Sequence, residues 1–73
     1  MVEGILIFNT VLNRYLISFD DGQCVELHCG DKFECLPDLN GWAYTRIEYD
    51  GEWYLVDQND NKIEIYENMF VRK

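Results

Sequence analysis

The chain alternates apolar and polar positions with the two-residue period of β-strands along most of its length. Residues 4–8 (GILIF) and 14–19 (RYLISF) are two such segments, and two asparagines between them suit a turn. No segment of about ten or more residues has helical periodicity. We therefore predict an all-β fold of five to seven short antiparallel strands, with at most one short helical turn, at residues 66–68.

A hairpin is predicted at residues 14–28. Its loop, DDG, fits a three-residue turn with Gly22 at positive φ. This loop pairs Ile17 with Val25 and places the apolar side chains of both strands on one face. A two-residue loop would set Ile17 opposite Glu26, and the cost of burying that carboxylate favours the first register.

A second hairpin is predicted around Asp50-Gly51, which we interpret as a two-residue type I′ turn. In this register Ile47, Tyr54 and Val56 form part of the core. The residues left on the outer face are Trp42, Tyr44, Arg46, Glu48, Trp53 and Leu55. A loop one residue longer would pair Glu48 with Glu52, which are like charges, and would turn Trp53 inward beside Ile47.

Three further strands are predicted at residues 33–36, 62–65 and 69–71. Alternation places Phe33 and Cys35 inward on the first, and both isoleucines inward on the second. A turn-rich loop at residues 37–41 contains the proline and an Asn-Gly pair.

Length and charge limit the class of protein. A chain of 73 residues is expected to be a single domain, residues 1–73, with one small core. Fourteen acidic residues against six basic ones give a net charge of -8. Such a chain repels phosphate, so we do not expect direct binding of nucleic acid.

The N-terminal sequence and the cysteines bear on localisation. The apolar segment at residues 5–8 is too short for a signal peptide core or a membrane span. Three cysteines are an odd number and do not form the framework of a small secreted domain. We therefore expect a cytoplasmic protein with reduced thiols and no membrane association.

The order of these segments resembles the Src-homology-3-like barrel over about residues 25–71. The segments that carry this resemblance are Gly-Asp at residues 30–31, Gly-Trp at residues 41–42 and YENMFV at residues 66–71. It implies a small barrel in which Trp42 corresponds to a ligand-contacting position. The aromatic start and the closing proline of proline-recognising barrels are missing from the sequence, so we do not expect polyproline binding.

Three segments look more like a family of small domains of unassigned function, encoded by Gram-positive bacteria and their mobile elements. They are ELHCGD at residues 26–31, TRIEY at residues 45–49 and WYLV at residues 53–56. This resemblance implies a fold and a genomic setting, and it implies no activity.

The candidate binding residues are Trp42, Tyr44 and Trp53, bordered by Arg46 and Glu48. Aromatic rings with polar tips, next to charges, are typical of protein-binding surfaces. Rings covered by the first hairpin or by a terminal segment are the alternative. We predict a small interaction domain that binds an unknown protein partner and is itself a monomer or a homodimer.

No catalytic residue, metal ligand or cofactor is predicted. Cys24, His28, Cys29 and Cys35 lack the paired spacing of a structural zinc site. Alternation also sends the adjacent His28 and Cys29 to opposite faces of a strand, which disfavours a nucleophile and its base. We therefore expect that the protein is not an enzyme.

The acidity of the chain provides an alternative function. Carboxylates along outer faces and turns can mimic a phosphate backbone, and the alternative is therefore an acidic mimic, encoded on a mobile element, that inhibits a DNA- or RNA-processing protein. The same charge would also serve solubility alone.

Overall fold

A computed structural model of the chain describes residues 1–38 and 41–73. It contains eight strands: β1 (Glu3–Asn9), β2 (Arg14–Phe19), β3 (Cys24–Glu26), β4 (Lys32–Cys35), β5 (Ala43–Tyr49), β6 (Trp53–Asp57), β7 (Lys62–Ile63) and β8 (Phe70–Arg72). The described residues contain no helix, so the all-β prediction is confirmed, with one strand more than the predicted maximum.

All eight strands form one antiparallel sheet in the order β3-β2-β1-β8-β4-β5-β6-β7. The C-terminal strand β8 lies in the middle, where Val71 pairs with Gly4 of β1 on one side and with Cys35 of β4 on the other. Among the described residues, β3 and β7 are the two edges and do not pair with each other. The sheet is therefore open, and closure into the predicted barrel is not confirmed.

The core lies on one face of this sheet, called here the inner face. Six of the eight strands contribute one or two side chains to the core, because alternate positions along them are apolar. The buried cluster is Leu6, Ile17, Leu27, Phe33, Cys35, Ile47, Leu55, Met69 and Val71. The inward orientation predicted for Phe33 and Cys35 is confirmed.

The first hairpin has the predicted register. Ile17 pairs with Val25, and the Phe19 amide donates to the carbonyl of Gln23 across the loop. Gly22 has a φ of 88°, as the three-residue loop requires. Ile17 is buried, whereas Val25 is exposed because it lies on the short edge strand β3.

The register predicted for the second hairpin is wrong by one residue. Tyr49 pairs with Trp53 and Ile47 with Leu55, across a three-residue loop that contains Gly51 at a φ of 99°. Leu55 is thereby fully buried, and Tyr54 moves to the outer face. This register puts an entirely apolar side chain in the core and leaves the phenol group in contact with water.

Two further local predictions need correction. Val56 is buried but lies on the outer face, between Arg46 and Lys62 on the neighbouring strands. Residues 66–68 were predicted as a turn of helix, but they form a non-helical turn in which Asn68 has a φ of 61°. The predicted loop at residues 37–41 lies partly outside the described residues.

Candidate interaction surface

Four of the five candidate binding residues lie together. Even-numbered side chains of β5 face away from the core, and this alternation puts Tyr44, Arg46 and Glu48 on the outer face, with Trp42 directly before them. Tyr44 is exposed, and the other three are half-buried. The fifth, Trp53, belongs to the inner face.

Trp53 joins the two ends of the sheet on the inner side. Its ring centroid lies 4.8 Å from that of Tyr49 on β5 and 6.5 Å from that of Tyr15 on β2. Its indole Nε1 donates to the carbonyl oxygen of Asn13 at 3.3 Å. The placement of Trp53 on the outer binding face was therefore wrong, because it followed from the wrong register.

The charged side chains of the outer face are paired with one another. Arg46 Nε donates to Glu48 Oε2 at 2.9 Å, and Arg46 Nη2 lies 3.5 Å from Asp60 Oδ1. The hydrogen bond with Glu48, helped by Asp60, raises the pKa of Arg46 above its ordinary value. Arg46 is thus a fixed positive charge that two carboxylates neutralise.

A polar groove of about 420 Å³ lies next to this network. Tyr44, Lys32 and Gln58 are among the residues that line it, together with Asp57. The Asp57 carboxylate accepts hydrogen bonds from the backbone amides of Asn59 and Asn61 at 2.9 Å, so it is held within its own turn. The hydrogen bond from Asn61 is the main cause that lowers the pKa of Asp57 below its ordinary value.

Trp42 is held in place by a cation on its ring. The guanidinium carbon of Arg72 lies 4.2 Å from the ring centroid. The same guanidinium donates to Glu34 Oε1 from Nε at 2.9 Å and from Nη2 at 2.6 Å. The three residues form a stack in which the charge of Arg72 is balanced by Glu34.

An apolar strip continues across the outer face from Trp42. Phe70, in the central strand β8, is 59% exposed and pairs with Ile5 of β1. Ile7, two residues along β1 on the same face, is 40% exposed. A groove of about 280 Å³ in this region is lined by Glu3, Gly4, Asp20, Leu36, Trp42, Phe70 and Val71. We call it the Phe70 groove.

Sequence reasoning did not find the Phe70 groove. Its residues come from distant parts of the chain, and they meet because β8 inserts between β1 and β4. The exposed phenylalanine at residue 70 was predicted only as part of a closing strand. Only knowledge of the strand order would have placed it beside Trp42.

The cysteines and the histidine lie in separate environments. Cys24 and Cys29 are exposed, whereas Cys35 is buried, and this burial raises the pKa of its thiol. His28 Nδ1 lies 2.6 Å from Arg14 Nη1. Within residues 1–38 and 41–73, no group of three or more His, Cys, Asp or Glu side chains is placed to hold a metal ion.

The fold and this surface define a small all-β domain built on one open antiparallel sheet of eight strands within the described residues. The chain belongs to the family described as Domain of unknown function (DUF5348), whose model matches residues 4–73. The family membership suggested by the sequence is thus supported at the level of a domain of unknown function.

A crystal structure of a protein from Ruminococcus gnavus is similar to this chain. The two share 35% sequence identity with a TM-score of 0.76, over 97% of this chain and 99% of the other. No curated protein matches the chain significantly. Where the structure describes the chain, no helix is long and apolar enough to cross a membrane.

Proposed function

We propose that this domain binds a protein partner through the outer face of its sheet, around Trp42, Tyr44 and Phe70. In this proposal the domain acts in the cytoplasm without a cofactor and is a variant of the Src-homology-3-like barrel. The contact of Trp53 on β6 with Tyr15 on β2, and its hydrogen bond to the Asn13 carbonyl, bring the two ends of the sheet toward each other and support a fold of that kind.

The exposure of Phe70 carries the proposal. β8 is the central strand of the sheet, with paired neighbours on both sides, yet its phenylalanine is 59% exposed on the outer face. Antiparallel sheets that face water normally present polar side chains there. An apolar strip in the middle of such a face, bordered by charges, is typical of a surface that a partner covers.

The paired charges beside the strip support specificity. Arg46, Glu48 and the Arg72–Glu34 pair have fixed positions, since each hydrogen-bonds to a neighbour. Preoriented charges at the rim of an interface favour the correct partner and its correct orientation more than they add affinity.

The test is capture of the partner by immobilised protein, compared between two matched variants. Phe70→Ser removes the central apolar side chain, and Val11→Ser removes an apolar side chain that is 91% exposed in the turn between β1 and β2. We expect a protein that the native domain and Val11→Ser retain and that Phe70→Ser loses. Equal retention by all three would contradict the proposal, provided that circular dichroism shows each variant folded.

The salt dependence of the captured protein separates this proposal from the nucleic-acid mimic, which stays a prediction from the acidic composition. Contact through the apolar strip should weaken much less between about 0.05 and 0.5 M salt than contact through a charge mimic, which should lose its partner steeply.

A further inference from the structure

We propose that the Phe70 groove accepts one lysine or arginine side chain of the partner. This inference rests on the proposed function and names the chemistry that the partner presents to the surface. The groove has the apolar walls and the unpaired negative charge that a long cationic side chain requires.

The walls of the groove fit the stem of such a side chain. Leu36, Trp42 and Phe70 supply apolar surface, and the backbone of Leu36 is tied to that of Phe70 by a hydrogen bond of 2.9 Å. The volume of about 280 Å³ is below the usual range for drug-sized ligands. A single methylene chain with a charged end matches both the size and the lining.

The charge at the groove comes from Glu3 and Asp20. Both side chains are exposed and line the groove, and the Asp20 amide donates to the Glu3 carbonyl at 2.9 Å, which keeps the two residues adjacent. Within the described parts of the chain, neither carboxylate takes part in an ion pair. Two adjacent carboxylates that outnumber the nearby cation attract a further positive group.

The Arg72 stack shows the same chemistry within the protein. There a guanidinium lies on the Trp42 ring with its charge against the Glu34 carboxylate. Arg72 also lies opposite Glu3 in the pairing of β1 with β8, but its guanidinium is bound by Glu34, so Glu3, Asp20 and Glu34 together keep an excess of negative charge over Arg72. A partner cation would repeat the arrangement, with Phe70 as the ring and Glu3 and Asp20 as the carboxylates.

A second copy of the chain is a poorer occupant. A symmetric dimer across this groove would bring the Glu3 and Asp20 carboxylates of both copies together, and each copy has a net charge of -8. A basic partner is attracted by the same charges that would separate two copies.

The test is an NMR titration of the full chain with three blocked tripeptides, in which arginine, norleucine or glutamate stands between two leucines. We expect the arginine peptide to shift the amide signals of Glu3, Asp20 and Phe70 in a saturable manner, and to bind about tenfold more tightly than the norleucine peptide. The double variant Glu3→Gln, Asp20→Asn should lose that advantage. A control with the same change in net charge, Glu26→Gln with Glu64→Gln, should keep most of it.

Three outcomes would overturn the inference. They are equal binding of the arginine and norleucine peptides, no saturable shift with any peptide, and a dimer by sedimentation that Phe70→Ser converts to a monomer. The first two leave the proposed function intact if Phe70→Ser still loses the captured protein. If the capture experiment failed but the arginine peptide still bound specifically, the proposed protein-binding surface would be contradicted. The cation site itself would then remain supported.

Discussion

The two halves of the outer face differ in whether their side chains have binding partners within the chain. On β5 and the neighbouring turn, Arg46 is paired with Glu48 and Asp60, so each charge has a partner within the chain. On β8 and β1, Phe70 and Ile7 face solvent without a cover. The charged half is therefore complete by itself, whereas the apolar half has surface that a partner can bury.

The largest effect is expected from Gly4→Ala, which tests how the apolar half is built. A Cβ at residue 4 would lie 2.4 Å from the backbone oxygen of Ser18, so β1 and β2 would have to separate. We expect a loss of about 3 kcal/mol in the free energy of unfolding, measured with urea.

Gly51→Ala is the control for that change. The space around Gly51 is open, but its φ of 99° strains any other residue, so we expect a loss of only about 1 kcal/mol. A Gly4→Ala protein as stable as Gly51→Ala would show that the close approach of β1 to β2 does not matter.

A smaller effect is expected from Trp53→Ala, which removes the contact between the two ends of the sheet on its inner side. Trp53 is half-buried against Tyr15 and Tyr49, so we expect a loss of about 2 kcal/mol in the free energy of unfolding. Capture of the partner by the folded variant should not change. If Trp53→Ala were as stable as the native protein but no longer captured the partner, Trp53 would belong to the binding surface.

A change of pH should affect the charged half through Asp57. Because its pKa is lower in the folded chain, Asp57 stabilises the fold above about pH 4, and this contribution disappears as the pH falls through the folded-state pKa. Asp57→Asn should therefore be less stable than the native protein at pH 7, and the difference should shrink as the pH falls below about 4. If the difference in the free energy of unfolding between the two proteins did not change with pH, the proposed role of the Asp57 carboxylate would be contradicted.

The smallest effect is expected from Arg46→Gln. Its side chain is 38% exposed, and surface ion pairs contribute little to stability. We expect an unfolding free energy indistinguishable from that of the native protein at low and at high salt. A clear loss at low salt alone would mean that the charged half also holds the sheet together.

The parts of the fold that sequence could predict are those set by local rules. The loop DDG fixed one register, because Gly22 was the residue that could take positive φ. Asp50-Gly51 fitted more than one loop length, and Tyr54 and Leu55 are both apolar, so alternation alone could not choose the buried one. The wrong register of this hairpin also placed Trp53 on the wrong face of the sheet.

The candidate surface was predictable only in part for a related reason. Trp42, Tyr44, Arg46 and Glu48 share a face because they alternate along one extended segment. The Phe70 groove depends on the pairing of β8 with β1 and β4, whose residues are far apart in the chain. Neither periodicity nor turn chemistry contains that information.

The central position of β8 has a consequence for how the protein acquires its structure. The meanders β1-β2-β3 and β4-β5-β6-β7 are each made of neighbouring segments, and within the described residues β8 is the strand that pairs with both of them. Residues 70–72 are synthesised after all the other strands, so neither meander can complete its pairing before β8 is made. We expect assembly of the whole sheet to be slow, since it requires the pairing of β1 with β8, the two strands most distant in sequence.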